Sequence, residues 1–183
     1  MEQLETIEQA LAGHPFCRGL DDEYRRLLSG CANRWIIAPG NFLYREGEPG
    51  HHCHLLCQGS VALEVHLPGR GPLTVETLGA GDVLGWSWLV PPYRARFDAR
   101  VLETLTVLSI EAACLRHLCE RDHEFGFALY QRFLPLVAER LAATRLRLVD
   151  MYEGRAGVAA GSGPGPSPGG GANMPFPAVQ RDR

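Results

Sequence analysis

Between Arg34 and Ile110 the chain is cut into short apolar runs by nine glycines, at positions 40, 47, 50, 59, 69, 71, 79, 81 and 85. The runs read "WIIA", "HLLC", "VALEV", "LTVETL" and "LTVLSI". Each is strand-sized, and most end near a residue that turns the chain with positive φ at no steric cost. Short strands punctuated by glycine turns predict a small β-sandwich or barrel.

On either side of this region the period changes. "LETIEQALAG" and "LDDEYRRLLSGC" repeat apolar residues every three or four positions, which predicts two helices, the second capped by Asp21 or Asp22. Helical spacing returns after Ser109-Ile110-Glu111. Phe127, Tyr130, Leu134, Val137, Leu141, Thr144, Leu148 and Met151 then alternate three and four residues apart, an a/d seam over about four heptads. Pro135 should kink this helix or mark a restart, because it removes a backbone donor. The seam fits either a helix packed on its own barrel or a homodimer joined through Leu134, Val137, Leu141, Leu148 and Met151. The stripe outruns the barrel it could cover, which favours the dimer. The end of the chain, "AGVAAGSGPGPSPGGGANMPFPAVQRDR", is too poor in large apolar residues to offset its ordering entropy. The expected division is a folded domain over 1–152 and a disordered Gly/Pro-rich tail over 153–183.

The 183 residues suffice for one domain with a core. A net charge of −3 and a pI near 6.2 give no general attraction to nucleic acid or to an anionic membrane. No run of about eighteen apolar residues could span a bilayer. The start, "MEQLETIEQALAGH", is acidic and helical, unlike a signal peptide, so a cytoplasmic location and six reduced cysteines are expected.

Two motifs invite chemistry. "HHCHLLCQG" offers His51, His52, Cys53, His54 and Cys57. On a strand Cys53 and Cys57 lie about 13 Å apart at ~3.3 Å per residue, whereas two thiolates of one zinc lie within about 4 Å. His52 and His54 could make half a site, open to solvent, so no metal site is expected. Cys114 and Cys119 fall poorly placed around a helix for chelation. Ser60 follows Gly59 without a nucleophile elbow, and no carboxylate pair is closely spaced, so no catalytic residues and no enzyme activity are expected.

The order of elements resembles the cyclic-nucleotide-binding domain of the catabolite activator (Crp/Fnr-like) family of regulators. "LAGHPFCRGLDDEYRRLLSGC" looks like that family's opening helices, and "APGNFLYREGEPGHHCHLLCQGSVAL" like its turn–strand–turn segment. "GAGDVLG" resembles the turn into the phosphate-binding cassette, and "ERLAATRLRLVDMY" the long helix after the barrel. The resemblance implies an α+β fold: an antiparallel β-barrel or jelly roll, similar to the cupin double-stranded β-helix, flanked by N-terminal helices and a long C-terminal helix. It also implies a ligand site spanning Gly85, Trp86, Ser87, Arg94, Ala95 and Arg96. In the family a glutamate takes the ribose hydroxyl and an arginine holds the cyclic phosphate. Trp86 stands at the glutamate position, and an indole has a donor but no acceptor. Trp88 replaces a small residue and should intrude on the ligand space. Arg94-Ala95 has the local look of the phosphate arginine. Counting back from "ARVLE" instead puts that position at Ala95, between Arg94 and Arg96, so which arginine serves stays open. Phe97, Ala99 and Val101 should face inward. A phosphate site can survive here while the ribose site cannot. The expectation is no cofactor, with a cyclic nucleotide disfavoured.

Family members of the oxygen-sensing type hold an iron–sulfur cluster through closely spaced N-terminal cysteines, a pattern that Cys17 and Cys31 do not reproduce. The family's DNA-reading domain needs roughly 60 residues with a core of its own, and the 31 residues after 152 are mostly Gly and Pro. Direct DNA binding is therefore not expected. The sequence points to a non-catalytic regulatory or accessory protein acting by protein–protein contact, within a larger complex or as a homodimer. A second reading is a sensor for a nucleotide or other small anion in the cassette from Gly85 to Arg96. A third is a transcriptional regulator of the Crp/Fnr type acting through a partner.

Overall fold

The computed structural model describes residues 5–159, with side chains through 147. Helix α1 (Ile7–Gly13) opens with a capping box: Thr6 accepts from the Gln9 amide, and the Gln9 side chain accepts from the Thr6 amide. A 3₁₀ turn (Pro15–Cys17) and α2 (Asp22–Gly30) follow. Asp21 occupies the N-cap of α2 without a side-chain capping bond, while Asp22 pairs with Arg25.

Eight strands make two four-stranded antiparallel sheets. One has the order β1 (Ala32–Ile37), β8 (Leu105–Glu111), β3 (His52–Gln58), β6 (Val83–Leu84). The other runs β2 (Phe42–Tyr44), β7 (Asp98–Val101), β4 (Val61–Leu67), β5 (Gly71–Leu78). This is the expected α+β jelly roll, and the five apolar runs read from sequence fall on β1, β3, β4, β5 and β8. Alternation along β7 also holds: Ala99 and Val101 are buried, Asp98 and Arg100 half-exposed. The Arg100 guanidinium bonds the Glu64 carboxylate on the neighbouring strand, which leaves that buried acid paired. Between the sheets lie Leu56, Val61, Leu63, Leu78, Leu84, Ala99, Val101, Leu105 and Val107.

Helix α3 (Ala112–Arg121) leads into α4 (His123–Ala159). Helix α4 passes through Pro135 and through the expected boundary at 152, ending at Ala159. Residues through Ala138 form one compact unit and those from Glu139 a second. In the first, Phe125, Leu129 and Phe133 of α4 enter a core shared with Leu11, Phe16, Leu28, Leu55, Leu108 and Leu115. Phe127, Tyr130 and Leu134 lie on another stripe and stay exposed, Leu134 at 72%. Two apolar stripes therefore share the helix, and the one packed on the barrel is not the seam read from the sequence. Val137 is half-buried. In the second unit Leu141 is exposed, while the side chains of Leu148 and Met151 lie outside the described residues, as do residues 160–183 of the expected tail.

Cysteine usage differs from expectation. Cys31, which follows α2, and Cys114 in α3 form a disulfide with Cα atoms 6.0 Å apart, within the ordinary span. Pairing of β1 with β8, with Ala32 opposite Ile110, brings the two positions together. Cys17, Cys53, Cys57 and Cys119 are free.

Candidate functional site

The cassette begins where β6 ends. Gly85 has φ 83°, and a Cβ there would lie 2.7 Å from the His52 carbonyl oxygen, so the turn requires glycine. The chain then makes a 3₁₀ turn (Trp86–Leu89), passes Pro91-Pro92, and is clamped by the loop before β3. The Gly47 amide donates to the Ala95 carbonyl at 2.9 Å, the Ala95 amide to Glu48 at 2.8 Å, and the Gly50 amide to Tyr93 at 2.7 Å. Gly50 permits this closeness, since a Cβ would meet the Ser87 hydroxyl at 2.8 Å. On the helical side, Arg116 of α3 lies 5.0 Å from the Tyr93 ring centroid and donates to the Trp88 carbonyl.

Clamp and cassette enclose a cavity of about 110 Å³. Its walls include Tyr44, Glu48, His52, His54, Ser87 and Ala95. Such a volume holds about four waters at ~30 Å³ each and is well below the ~300 Å³ at the small end of ordinary ligand sites. His54 is 6% exposed, its ring set between those of Tyr44 and His52, and its Nδ1 lies 2.8 Å from the Ser109 hydroxyl. Burial pushes its pKa down to about 3, and burial also lowers that of His52. Both imidazoles are therefore neutral near pH 7. Glu48 is occupied in part by the Arg45 amide.

The residues read from sequence separate into three groups. Ser87 and Ala95 line the cavity, and Gly85 forms the turn beside it. Arg94 and Arg96 are exposed and absent from the lining. The Arg94 guanidinium instead donates to the Gly47 carbonyl at 2.6 Å. Trp86 is half-buried against the helix-facing core, and Trp88 is fully buried there, edge-on to Phe133 with centroids 5.5 Å apart. The expected intrusion of Trp88 on the ligand space is thus corrected: the 3₁₀ turn aims the indole at α4. Of the histidine pair, His52 is exposed as expected, whereas His54 is buried, with the Tyr44 ring stacked on it and the Ser109 hydroxyl beside its Nδ1. Tyr44 and Ser109 escaped the sequence reading. The alternation that puts His52 and His54 on one face of β3 was visible, but their neighbours come from β2 and β8. Among the described residues no three His, Cys, Asp or Glu side chains converge as metal ligands.

Neutral burial of His54 has a consequence for stability. Its folded pKa of about 3 lies below the unfolded value near 6.5. The contribution is therefore complete above pH 6.5 and lost as pH falls from 6.5 toward 3. His14 adds to the loss in the same direction: burial lowers its pKa, its Nδ1 accepts from the Phe16 amide, and its Nε2 meets the Leu56 carbonyl. Urea unfolding at pH 7 and pH 5 should show a loss of about 2 kcal/mol from His54 alone. A flat profile over that interval would contradict a neutral buried imidazole.

No curated protein is similar in sequence. A family model described as the cyclic nucleotide-binding domain matches residues 35–122. Among solved structures, the chain is similar to a cyclic nucleotide-binding domain from Methylobacillus flagellatus, at 19% identity and TM-score 0.68, covering 80% of this chain and 83% of that one. It is similar to the N-terminal domain of a transcriptional regulator from Streptomyces coelicolor, at 24% identity and TM-score 0.58, covering 76% and 94%. It also resembles the catabolite activator protein of Thermus thermophilus, at 22% identity and TM-score 0.61, covering 75% of this chain and 63% of that one. With the two sheets, the cassette turn and the long helix in place, residues 35–122 belong to the cyclic nucleotide-binding domain family, on the fold of the Crp/Fnr-type regulators.

Proposed function

We propose that this chain is a non-catalytic regulatory protein whose cyclic-nucleotide-binding domain does not take a cyclic nucleotide and which acts by protein–protein contact. One observation carries the reading: Ala95, at the position the resemblance gives to the phosphate arginine, lines a cavity whose walls include no arginine and no lysine. The cyclic phosphate would enter without a guanidinium, since neither Arg94 nor Arg96 lines the space. The ribose would meet no carboxylate from the cassette, because Trp86, half-buried against the core, stands at the glutamate position. Thermal unfolding tests this. A nucleotide at a hundredfold its Kd would stabilise the fold by about 2.7 kcal/mol, or about 5–10 °C in Tm for a chain of this size. Millimolar cyclic AMP should leave Tm within about 1 °C, and a rise of the larger size would remove the reading.

The contact surface that fits is α4, paired with a second copy. Phe127, Tyr130, Leu134 and Leu141 are exposed at a/d spacing. A stripe of this kind, unused by the core, is what a helical pair buries. Leu141→Asp should convert a dimer to a monomer in light scattering, because a charge in a dry seam costs several kcal/mol. A monomer for the unmutated chain at tens of micromolar would exclude the pairing. The reading includes no direct DNA binding, in keeping with the net charge of −3. Among the described residues no helix is long and apolar enough to cross a membrane.

A further inference from the structure

A second and larger hollow lies away from the cassette, in the same compact unit. It has a volume of about 440 Å³, within the ~300–1,000 Å³ of small-molecule sites. Pro15 and Phe16 of the N-terminal 3₁₀ turn, Val83 of β6 and Leu136 of α4 give it apolar walls, and Arg18 and Arg132 line it. Neither guanidinium has a carboxylate within ion-pair distance among the described residues. Arg132 is fixed by neutral acceptors: Nη1 donates to the Ala128 carbonyl at 2.9 Å and Nη2 to the Arg18 carbonyl at 3.5 Å. These bonds orient the fork, leave further N–H groups unused, and do not balance its charge. Asp82, the acid nearest the rim in sequence, is turned to the Gly79 amide. Gly81 closes one end against Pro15, which a Cβ at Gly81 would approach to 3.2 Å.

We propose that this groove binds a small monocarboxylate carrying an apolar ring or chain, the carboxylate between Arg18 and Arg132 and the apolar body along Phe16, Val83 and Leu136. Two uncompensated guanidiniums on apolar walls select such a molecule over a neutral one, which forgoes the charge-assisted bonds, and over inorganic phosphate, which leaves the walls wet. Arg18 comes from the N-terminal segment and Arg132 from α4, so one carboxylate bridges the two. The helix that carries the exposed apolar stripe is then also the helix that an effector grips. The groove shares no residue with the cassette cavity, so this proposal and the loss of cyclic nucleotide binding stand or fall separately.

The test uses the full chain labelled with ¹⁵N and titrated with phenylbutyrate, with uncharged phenylbutanamide as the control. Expected are saturable shifts at the Gly81, Val83 and Leu136 amides with a Kd of about 1 mM or below, the scale available to a ligand of a dozen heavy atoms. The amide should bind about tenfold more weakly or worse. Arg132→Gln should weaken phenylbutyrate by about tenfold. Arg18 is exposed, so Arg18→Gln should fold normally and weaken it in the same direction, while Arg70→Gln on the β4–β5 turn should change nothing. Equal binding of acid and amide would reduce the site to a greasy groove and overturn the proposal. So would shifts centred elsewhere, an unaltered affinity in Arg18→Gln, or no saturation by about 10 mM.

Discussion

Replacing Trp88 with alanine should destabilise the fold by about 3–5 kcal/mol in urea unfolding, the cost of deleting a large buried aromatic side chain. The indole is fully buried among Phe16, Leu55, Phe125 and Phe133, and its edge-on contact with Phe133 joins the cassette to α4. Its ring nitrogen is buried without a hydrogen-bond partner among the described residues, a defect worth about 1–3 kcal/mol. Trp88→Phe keeps most of the apolar surface and removes that orphan donor, so it should cost far less than the alanine change. Both variants together decide the matter. An alanine variant within about 1 kcal/mol of the parent would mean that the indole is not the packed link between cassette and helix.

Breaking the Cys31–Cys114 bridge should cost about 4 kcal/mol. The two cysteines are 83 residues apart, and the chain-entropy relation for a loop of that length gives about 4–5 kcal/mol at 25 °C. The bridge ties the end of α2 to α3, on the side where the N-terminal helices cover the sheet. Unfolding midpoints compared with and without a reductant, and for Cys31→Ser, should agree on this loss. Free Cys17 is buried, and burial pushes its thiol up to about 11, so it is a poor competitor for exchange near neutral pH. Identical stability of the oxidised and reduced chains would show that the bridge does not constrain the fold.

The strands could be read from the sequence because period-two alternation and glycine turns are local signals, and Ala99 and Val101 landed on the face assigned to them. The direction of the tryptophans could not. A 3₁₀ turn entered through a positive φ at Gly85 reverses the expected face, and neither strand nor helix periodicity describes it. The disulfide was hidden for a different reason. Cys31 and Cys114 meet because β1 pairs with β8 across the chain, and single-residue patterns carry no register between distant strands. The stripe on α4 showed its spacing at once. That the barrel would take the adjacent Phe125–Leu129–Phe133 stripe required the packed structure.

Calorimetric titration of cyclic AMP and cyclic GMP into the purified chain tests the central claim most directly. On the proposed reading, Trp86 for the ribose glutamate and Ala95 for the phosphate arginine each remove a charge-assisted hydrogen bond of about 1.5–3 kcal/mol. Together they weaken binding by about two to four orders of magnitude. The predicted result is no saturable heat for either nucleotide up to about 1 mM. A micromolar dissociation constant, abolished by Arg94→Ala or Arg96→Ala, would contradict the account: an exposed arginine would then reach a nucleotide in the cassette, and the chain would be a cyclic-nucleotide sensor after all.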